Sequence, residues 1–359
     1  MEPLRIGIIG LGAVADVHLL AYKSVKSVKV IAGSDISQTR LDEMVKSWKI
    51  NGYTDYLEML KNEELDLIVV CVPCRYHREV VERVAEFKIP ILVEKPLATT
   101  LTEAKSMIAK CKQNNVPLAY GASYRWLPAN MKAKDIIKEG ILGNISLLIE
   151  MAIGGHGIEK FQDLGQHHYP LGMPGGSGMG IVDHGIHLID LFRWFLDSEV
   201  VSVYGNGNYS GGIPSSEHVT MKFMNGATAH LIYNEISYYS DLKSEGIYSW
   251  GGAWRPDGSL NLSGGWEDHP GNIRIHGEKG AIRIFYYANK IFLSNESGQK
   301  PISLLSRPMP GNFALQIESF ANSIINQTPL AVPAEEGLKA LEILEAVYKS
   351  QKTQSLIKL

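Results

Sequence analysis

Residues 6–15 read Ile6-Gly7-Ile8-Ile9-Gly10-Leu11-Gly12-Ala13-Val14-Ala15. A short apolar run, Ile6–Ile9, leads directly into G-x-G-x-x-A at the opening of a helix-forming stretch. Each small residue has its own physical use. Gly10 permits a tight turn, Gly12 lets backbone approach a pyrophosphate, and Ala15 lets the helix pack closely on its strand. Ala13 and Val14 stand at the helix start, where N–H groups and the positive dipole end suit an anion. Asp35 follows about 20 residues after Ala15, at the end of the second apolar run. A carboxylate there accepts hydrogen bonds from ribose hydroxyls and repels a 2′-phosphate, which favours NAD; Arg40 nearby leaves NADP open.

Outward from this motif, residues 1–122 alternate strand and helix signals. Apolar runs at Ile6–Ile9, Val28–Ala32, Leu67–Val72, Ile89–Val93 and Val116–Tyr120 are short and nearly unbroken, as strands buried on both faces should be. Over Thr102–Asn114 the residues Ala104, Met107, Ile108 and Cys111 fall on one helical face. Strand–helix alternation implies crossovers and a doubly wound parallel sheet, a Rossmann domain.

After Ala122 the texture changes. Ile145–Ala152, Val200–Gly205, His218–Phe223, Thr228–Tyr233 and Ile282–Tyr286 are strand-like, and Asn225-Gly226 suits a tight hairpin. Residues 123–359 therefore read as an α+β domain with a large, mostly antiparallel sheet. Leu338, Leu341, Leu344 and Tyr348 share one face of a last helix at 334–352, which is expected to pack back on the first domain.

Composition narrows the class. With 45% hydrophobic and 20% charged residues and a net charge of −3, the chain reads as a folded protein without a nucleic-acid footprint. No apolar run approaches the ~20 residues of a membrane span, and the N-terminus lacks a signal-peptide pattern. The cytoplasm is the expected compartment. Cys71, Cys74 and Cys111 make no disulfide framework. Cys71 is expected to pack inside its strand run, and Cys74 to lie in the accessible loop beyond it.

Three further segments carry a resemblance. They are Glu94-Lys95-Pro96 after a strand run, Ser123-Tyr124-Arg125-Trp126, and Gly175-Gly176-Ser177-Gly178 before Asp183-His184-Gly185-Ile186-His187-Leu188-Ile189-Asp190. Together with the glycine motif, in this order, they resemble the glucose–fructose oxidoreductase and inositol dehydrogenase family. The resemblance implies Lys95, Asp183 and His187 as catalytic residues and oxidation or reduction of sugars, inositols or their derivatives. It implies an open C-terminal sheet used in assembly, as a homodimer or homotetramer. Pro73, Cys74 and His77 resemble the family's cofactor-contacting loop, and Glu94 and Lys95 are expected at the same cofactor edge.

The residue chemistry agrees. Asp183 and His187 are four apart in a helix-like stretch and share a face, a spacing that alone would also suit a helix-start carboxylate and an interior histidine. Oxidising a secondary alcohol requires a base for the hydroxyl proton, a role suited to His187. Lys95 can stabilise the developing alkoxide. No metal is needed for hydride transfer. Arg125, His168 and Tyr169 are candidate substrate contacts. Residues 238–270 hold Trp250, Trp254 and Trp266, which suit either a sugar face or a subunit interface. His18, on the first helix, reads as a packed or capping histidine. Redox-assisted glycoside cleavage and a non-catalytic dinucleotide- or sugar-sensing regulator are the alternative functions on this scaffold.

Overall fold

The computed structural model describes residues 2–153, 180–210, 213–234, 272–286, 288–304 and 310–359. Their contacts divide into two compact units. Of the described residues, the first holds those of Met1–Ser123 and Met309–Leu341, and the second those of Tyr124–Arg255, Ser259–Pro308 and Glu342–Leu359.

The first unit is built on β1 (Leu4–Ile9), β2 (Val28–Ser34), β3 (Asn51–Tyr53), β4 (Leu67–Val70), β5 (Ile91–Val93) and β6 (Leu118–Tyr120). They run parallel in the order β3-β2-β1-β4-β5-β6. Helices α1 (Ala13–Tyr22), α2 (Gln38–Trp48), α3 (Tyr56–Asn62), α4 (His77–Glu86) and α5 (Leu101–Gln113) make the connections. This is the expected doubly wound sheet, and its apolar runs are buried, β4 at all four positions. In α5 the Thr100 hydroxyl caps the Glu103 N–H at 3.2 Å, and the buried residues are the expected Ala104, Met107, Ile108 and Cys111. The short β3 carried no apolar run to announce it. It lies beside β2 because Gly52 leaves room for α2, where a Cβ would come within 2.4 Å of Val45. The strand order reverses between β1 and β4, so the crevice at their carboxyl ends is the ligand edge of such a sheet.

The second unit contains α6 (Pro128–Lys138), β7 (Ile145–Ile153), a π-helical turn over Gly180–Gly185, α7 (Ile186–Leu196), β8 (Val200–Ser210), β9 (Ile213–Phe223) and β10 (Thr228–Asn234). Beyond these come β11 (Asn272–Gly277), β12 (Gly280–Phe285), β13 (Lys290–Asn295) and β14 (Gly298–Pro301). With β15 (Ile357–Lys358) the described strands form one sheet ordered β14-β13-β12-β11-β7-β10-β9-β8-β15. The pairs are antiparallel except β7 with β10. The hairpin at Asn225-Gly226 is present, with Gly226 at φ +93° and the Asn225 side chain accepting the Ala227 N–H at 3.1 Å. Leu148, Val219, Met221, Leu231, Ile273 and Ile284 make the buried face. They alternate with half-buried Leu147, Ile149, Met151 and Ile232 on the other face.

Two helices lie between β14 and β15, α8 (Gly311–Asn326) and α9 (Ala334–Thr353). In the first unit α8 packs on α1, and Gly337 of α9 lies so close to Tyr120 that a Cβ would come within 2.7 Å of its ring. In the second unit the later turns of α9 meet β8, where the Ser350 hydroxyl accepts the Gly205 N–H at 2.9 Å. Among the described residues no helix is long and apolar enough to cross a membrane.

Candidate functional site

The dinucleotide cradle takes its shape from Gly10 and Gly12. Gly10 has φ +88°, and a Cβ there would sit 2.7 Å from the Val72 amide nitrogen, so only glycine lets the β1 turn pass the end of β4. A Cβ on Gly12 would meet nothing within 4 Å, so a side chain would fill the open space ahead of α1. The helix start has no side-chain cap, Ala13 is exposed, Val14 half-buried and Ala15 fully buried against the sheet. Open space, uncapped amides and a dipole end together suit a pyrophosphate. At the end of β2 the Asp35 carboxylate accepts the N–H groups of Leu11 and Ser37, each at 2.8 Å, which fixes it beside the glycine turn. Arg40 is tied down instead of extended. Its Nε donates to Leu11 O at 2.6 Å, and its other nitrogens reach Asp16 and Glu43.

The loop beyond β4 departs from expectation in its details. Cys74 is buried, with Sγ donating to Pro96 O at 3.3 Å, and burial pushes its thiol far up. Cys71 is the more accessible of the two, half-buried at the strand's end where packing inside the run was expected. The reason is length: β4 stops at Val70, one residue before it. His77 is buried, with Nδ1 facing Leu97 O at 3.1 Å and Nε2 facing Val72 O at 2.9 Å, and burial lowers its pKa. It therefore staples the loop holding Pro73 and Cys74 to the segment after Lys95, with both nitrogens turned onto its own chain.

Lys95 follows β5 and is half-buried, joined to Pro96 by a cis peptide bond. Glu94 beside it is buried. Its Oε2 accepts the Lys95 N–H at 3.1 Å, and its Oε1 lies 2.8 Å from His18 Nε2. Sequence reading missed this pair and left His18 as a packing residue.

In the second unit the π-helical turn carries Asp183 and leads into α7, which carries His187. Such wide turns concentrate at functional sites. Asp183 is half-buried and His187 is buried. The His187 ring lies flat on Tyr124, with centroids 4.0 Å apart and planes 7° from parallel. His184, between them in sequence, turns to a buried polar cluster. Its Nε2 is 2.9 Å from Glu150 Oε1, and Glu150 also accepts the hydroxyls of Tyr233 at 2.7 Å and Tyr286 at 2.5 Å. Three partners offset the burial of that carboxylate. The turn is held from β9 as well, where Glu217 Oε2 accepts the Ile181 N–H at 2.9 Å. Burial pushes the Glu217 carboxyl up to about 7.

Arg125 is tied down within the second unit. It is buried, and its guanidinium makes a two-point pair with Asp190, Nε at 2.8 Å and Nη2 at 2.6 Å. Its fork ties the turn after Ser123 to α7. Glu150 and Glu217 were also missed. Each is a lone carboxylate at an inward position of an apolar strand, and that parity was the available signal. His168, Tyr169 and the glycine cluster at 175–178 lie outside the described residues, as do Trp250, Trp254 and Trp266.

Comparison with known proteins agrees with both halves. Residues 4–122 match the oxidoreductase family with an NAD-binding Rossmann fold, and residues 160–359 match that family's C-terminal alpha/beta domain. The chain belongs to this family, that of the glucose–fructose oxidoreductases and inositol dehydrogenases, and is an NAD-dependent oxidoreductase of CH–OH groups. Among its relatives, an uncharacterised oxidoreductase of Bacillus subtilis is 30% identical over 62% of this chain and 64% of that one. The myo-inositol 2-dehydrogenase of Thermotoga maritima is 24% identical over 99% of this chain and 98% of its own. Among solved structures, scyllo-inositol dehydrogenase from Lactobacillus casei with bound NAD(H) and scyllo-inositol shares the fold with a TM-score of 0.76. It is 20% identical, and the match covers 99% of each chain.

Proposed function

We propose that this protein oxidises a secondary hydroxyl of a sugar, glycoside or inositol, with Lys95, Asp183 and His187 as its catalytic residues. The observation that carries the reading is the placement of Asp183 on the π-helical turn and His187 on the first turn of α7, four residues apart, with the His187 ring held flat on Tyr124. Bound NAD supplies the hydride acceptor. His187 takes the hydroxyl proton, and Asp183 orients either the substrate hydroxyl or the imidazole. Lys95 donates to the same oxygen and stabilises its alkoxide character. Gly10, Gly12 and the start of α1 hold the pyrophosphate, and Asp35 accepts from the ribose. Pro73, Cys74, His77, Glu94 and Lys95 shape the nicotinamide end.

Family relatives named as inositol dehydrogenases support a cyclic polyol with adjacent hydroxyls. The half-buried Leu147, Ile149, Met151 and Ile232 on the second sheet's outer face support assembly of copies through that face. The test is NAD reduction followed by absorbance across a panel of inositols, free sugars and glycosides. Turnover on at least one cyclic polyol, lost in His187→Asn and Lys95→Ala, is the expected result. No turnover on any, with NAD bound normally, would leave the sensing function instead.

A further inference from the structure

The mechanism leaves one buried chain of titratable groups unused, in the first unit. His18, on α1, is fully buried, with its ring edge against Phe313 at a centroid distance of 4.8 Å. Its Nδ1 faces the Tyr22 hydroxyl at 2.6 Å and its Nε2 faces Glu94 Oε1 at 2.8 Å. The other oxygen of Glu94 accepts the Lys95 N–H at 3.1 Å. Gly121 closes over this carboxylate, where a Cβ would meet Glu94 at 3.1 to 3.3 Å and the Val93 carbonyl at 3.0 Å.

The direction of these bonds follows from the chemistry. Burial, with Cys71 and Glu94 adding to it, pushes the Tyr22 phenol well up, so it stays protonated. With its O–H donating to Nδ1, the imidazole carries its N–H on Nε2, pointed at Glu94. Each group in the chain has a partner, from the phenol through the imidazole and carboxylate to a peptide N–H. A buried network that is fully satisfied rigidifies what it joins. Here it joins α1, whose first turn faces the pyrophosphate space, to the backbone of Lys95.

We propose that Tyr22, His18 and Glu94 are positioning residues for Lys95, a relay that fixes its peptide in register with the cofactor-binding end of α1. This rests on the reading of Lys95 as a catalytic residue. Losing the imidazole lets the Glu94 carboxylate turn away and releases the Lys95 N–H, which loosens the lysine's aim. Misplacement of a catalytic group by about 1 Å costs up to roughly a hundredfold in rate.

His18→Leu and His18→Gln in the full chain test this. The Gln amide keeps a donor for Glu94 and an acceptor for Tyr22, whereas Leu keeps neither. Hydrogen exchange on the ligand-free protein reads the Lys95 amide directly, since Pro96 after it has none. In His18→Leu that amide is expected to exchange about tenfold faster while the β4 and β5 amides are unchanged. The kcat falls about tenfold or more with NAD affinity within about twofold, and His18→Gln recovers most of both losses. Unchanged exchange at Lys95 in His18→Leu overturns the relay. So does faster exchange spread equally over β4 and β5 with Gln no better than Leu, which is the mark of a general packing role. Lys95→Ala is run alongside. Normal turnover in it removes Lys95 from catalysis, and exchange at Lys95 in His18→Leu then judges the relay alone.

Discussion

The imidazole of His187 lies parallel to the phenol ring of Tyr124 at 4.0 Å, and the Tyr124 hydroxyl reaches the His184 ring nitrogen at 3.4 Å. The proposed base therefore rests on a ring that is itself fastened to the buried Glu150 cluster. His187→Asn should lower kcat for polyol oxidation by about a hundredfold or more, the scale of a lost acid–base group. NAD affinity, measured by fluorescence, should be unchanged. Tyr124→Leu should cost more of kcat than Tyr124→Phe, because Phe keeps the stacking face and loses only the hydroxyl. Equal kcat values in Phe and Leu would show that the stack does not aim the base.

Cofactor choice should depend on Arg40 as well as on Asp35. Asp35 is fixed by two backbone N–H groups beside the glycine turn, and Arg40 is drawn back onto Leu11 O, Asp16 and Glu43. Asp35→Ser removes the charge that repels a 2′-phosphate, and should raise relative kcat/KM for NADP by roughly tenfold. Adding Asp16→Asn frees Arg40 to swing outward and should raise it further. If the double variant matches Asp35→Ser, Arg40 has no bearing on the choice.

What could be read from the sequence was what local chain dictates. The glycine turn, the parallel logic of the five apolar runs and the buried face of α5 each depend on residues within one element and its neighbour. The same holds for the Asn225-Gly226 hairpin. Partners far apart in sequence were illegible. The pairing of Arg125 with Asp190 was hidden because the carboxylate is 65 residues away, and His18 looked like packing because Glu94 is 76 residues away. The accessibility of Cys71 and Cys74 was inverted because one residue of strand length separates a buried position from a half-buried one. Asp183 and His187 were read from the four-residue spacing of a regular helix, but Asp183 lies on a wider π-helical turn, which has no sequence signal in glycine and isoleucine alone.

The Arg125–Asp190 pair should behave as a buried ion pair in stability measurements. Both side chains are nearly inaccessible, and Arg125 also lies 5.9 Å over the Trp194 ring. Asp190→Ala leaves a buried guanidinium without its carboxylate and should destabilise the second unit by ~3–5 kcal/mol. Arg125→Met with Asp190→Leu removes both charges at similar volume and should recover most of that loss. Denaturation midpoints would check it, and a double variant as unstable as Asp190→Ala would point to a lost contact other than the pair.

Glu217 makes the stability of the protein depend on pH in a direction opposite to the usual carboxylate. Its pKa is raised from 4.5 to about 7, with burial as the cause, against the lowering effect of the Ile181 N–H and Gln351. The folded state thus holds a proton that the unfolded chain releases near 4.5. Between those two pH values the native state binds more protons, so stability falls as pH rises, and the loss is complete above about 7. The displacement corresponds to on the order of 3 kcal/mol. Glu217→Gln keeps an acceptor for Ile181 N–H, and its new NH2 can donate to the Gln351 side-chain oxygen once that amide turns over, while the titration is removed. The variant and the wild type should therefore be about equally stable near pH 4.5. The variant should gain steadily through neutrality and stay ahead by a constant margin above pH 8. Guanidinium unfolding of both proteins at several pH values would show this. A stability difference that does not change with pH would mean that Glu217 keeps an ordinary carboxylate pKa, and that its hold on the Asp183 turn costs the fold nothing in charge burial.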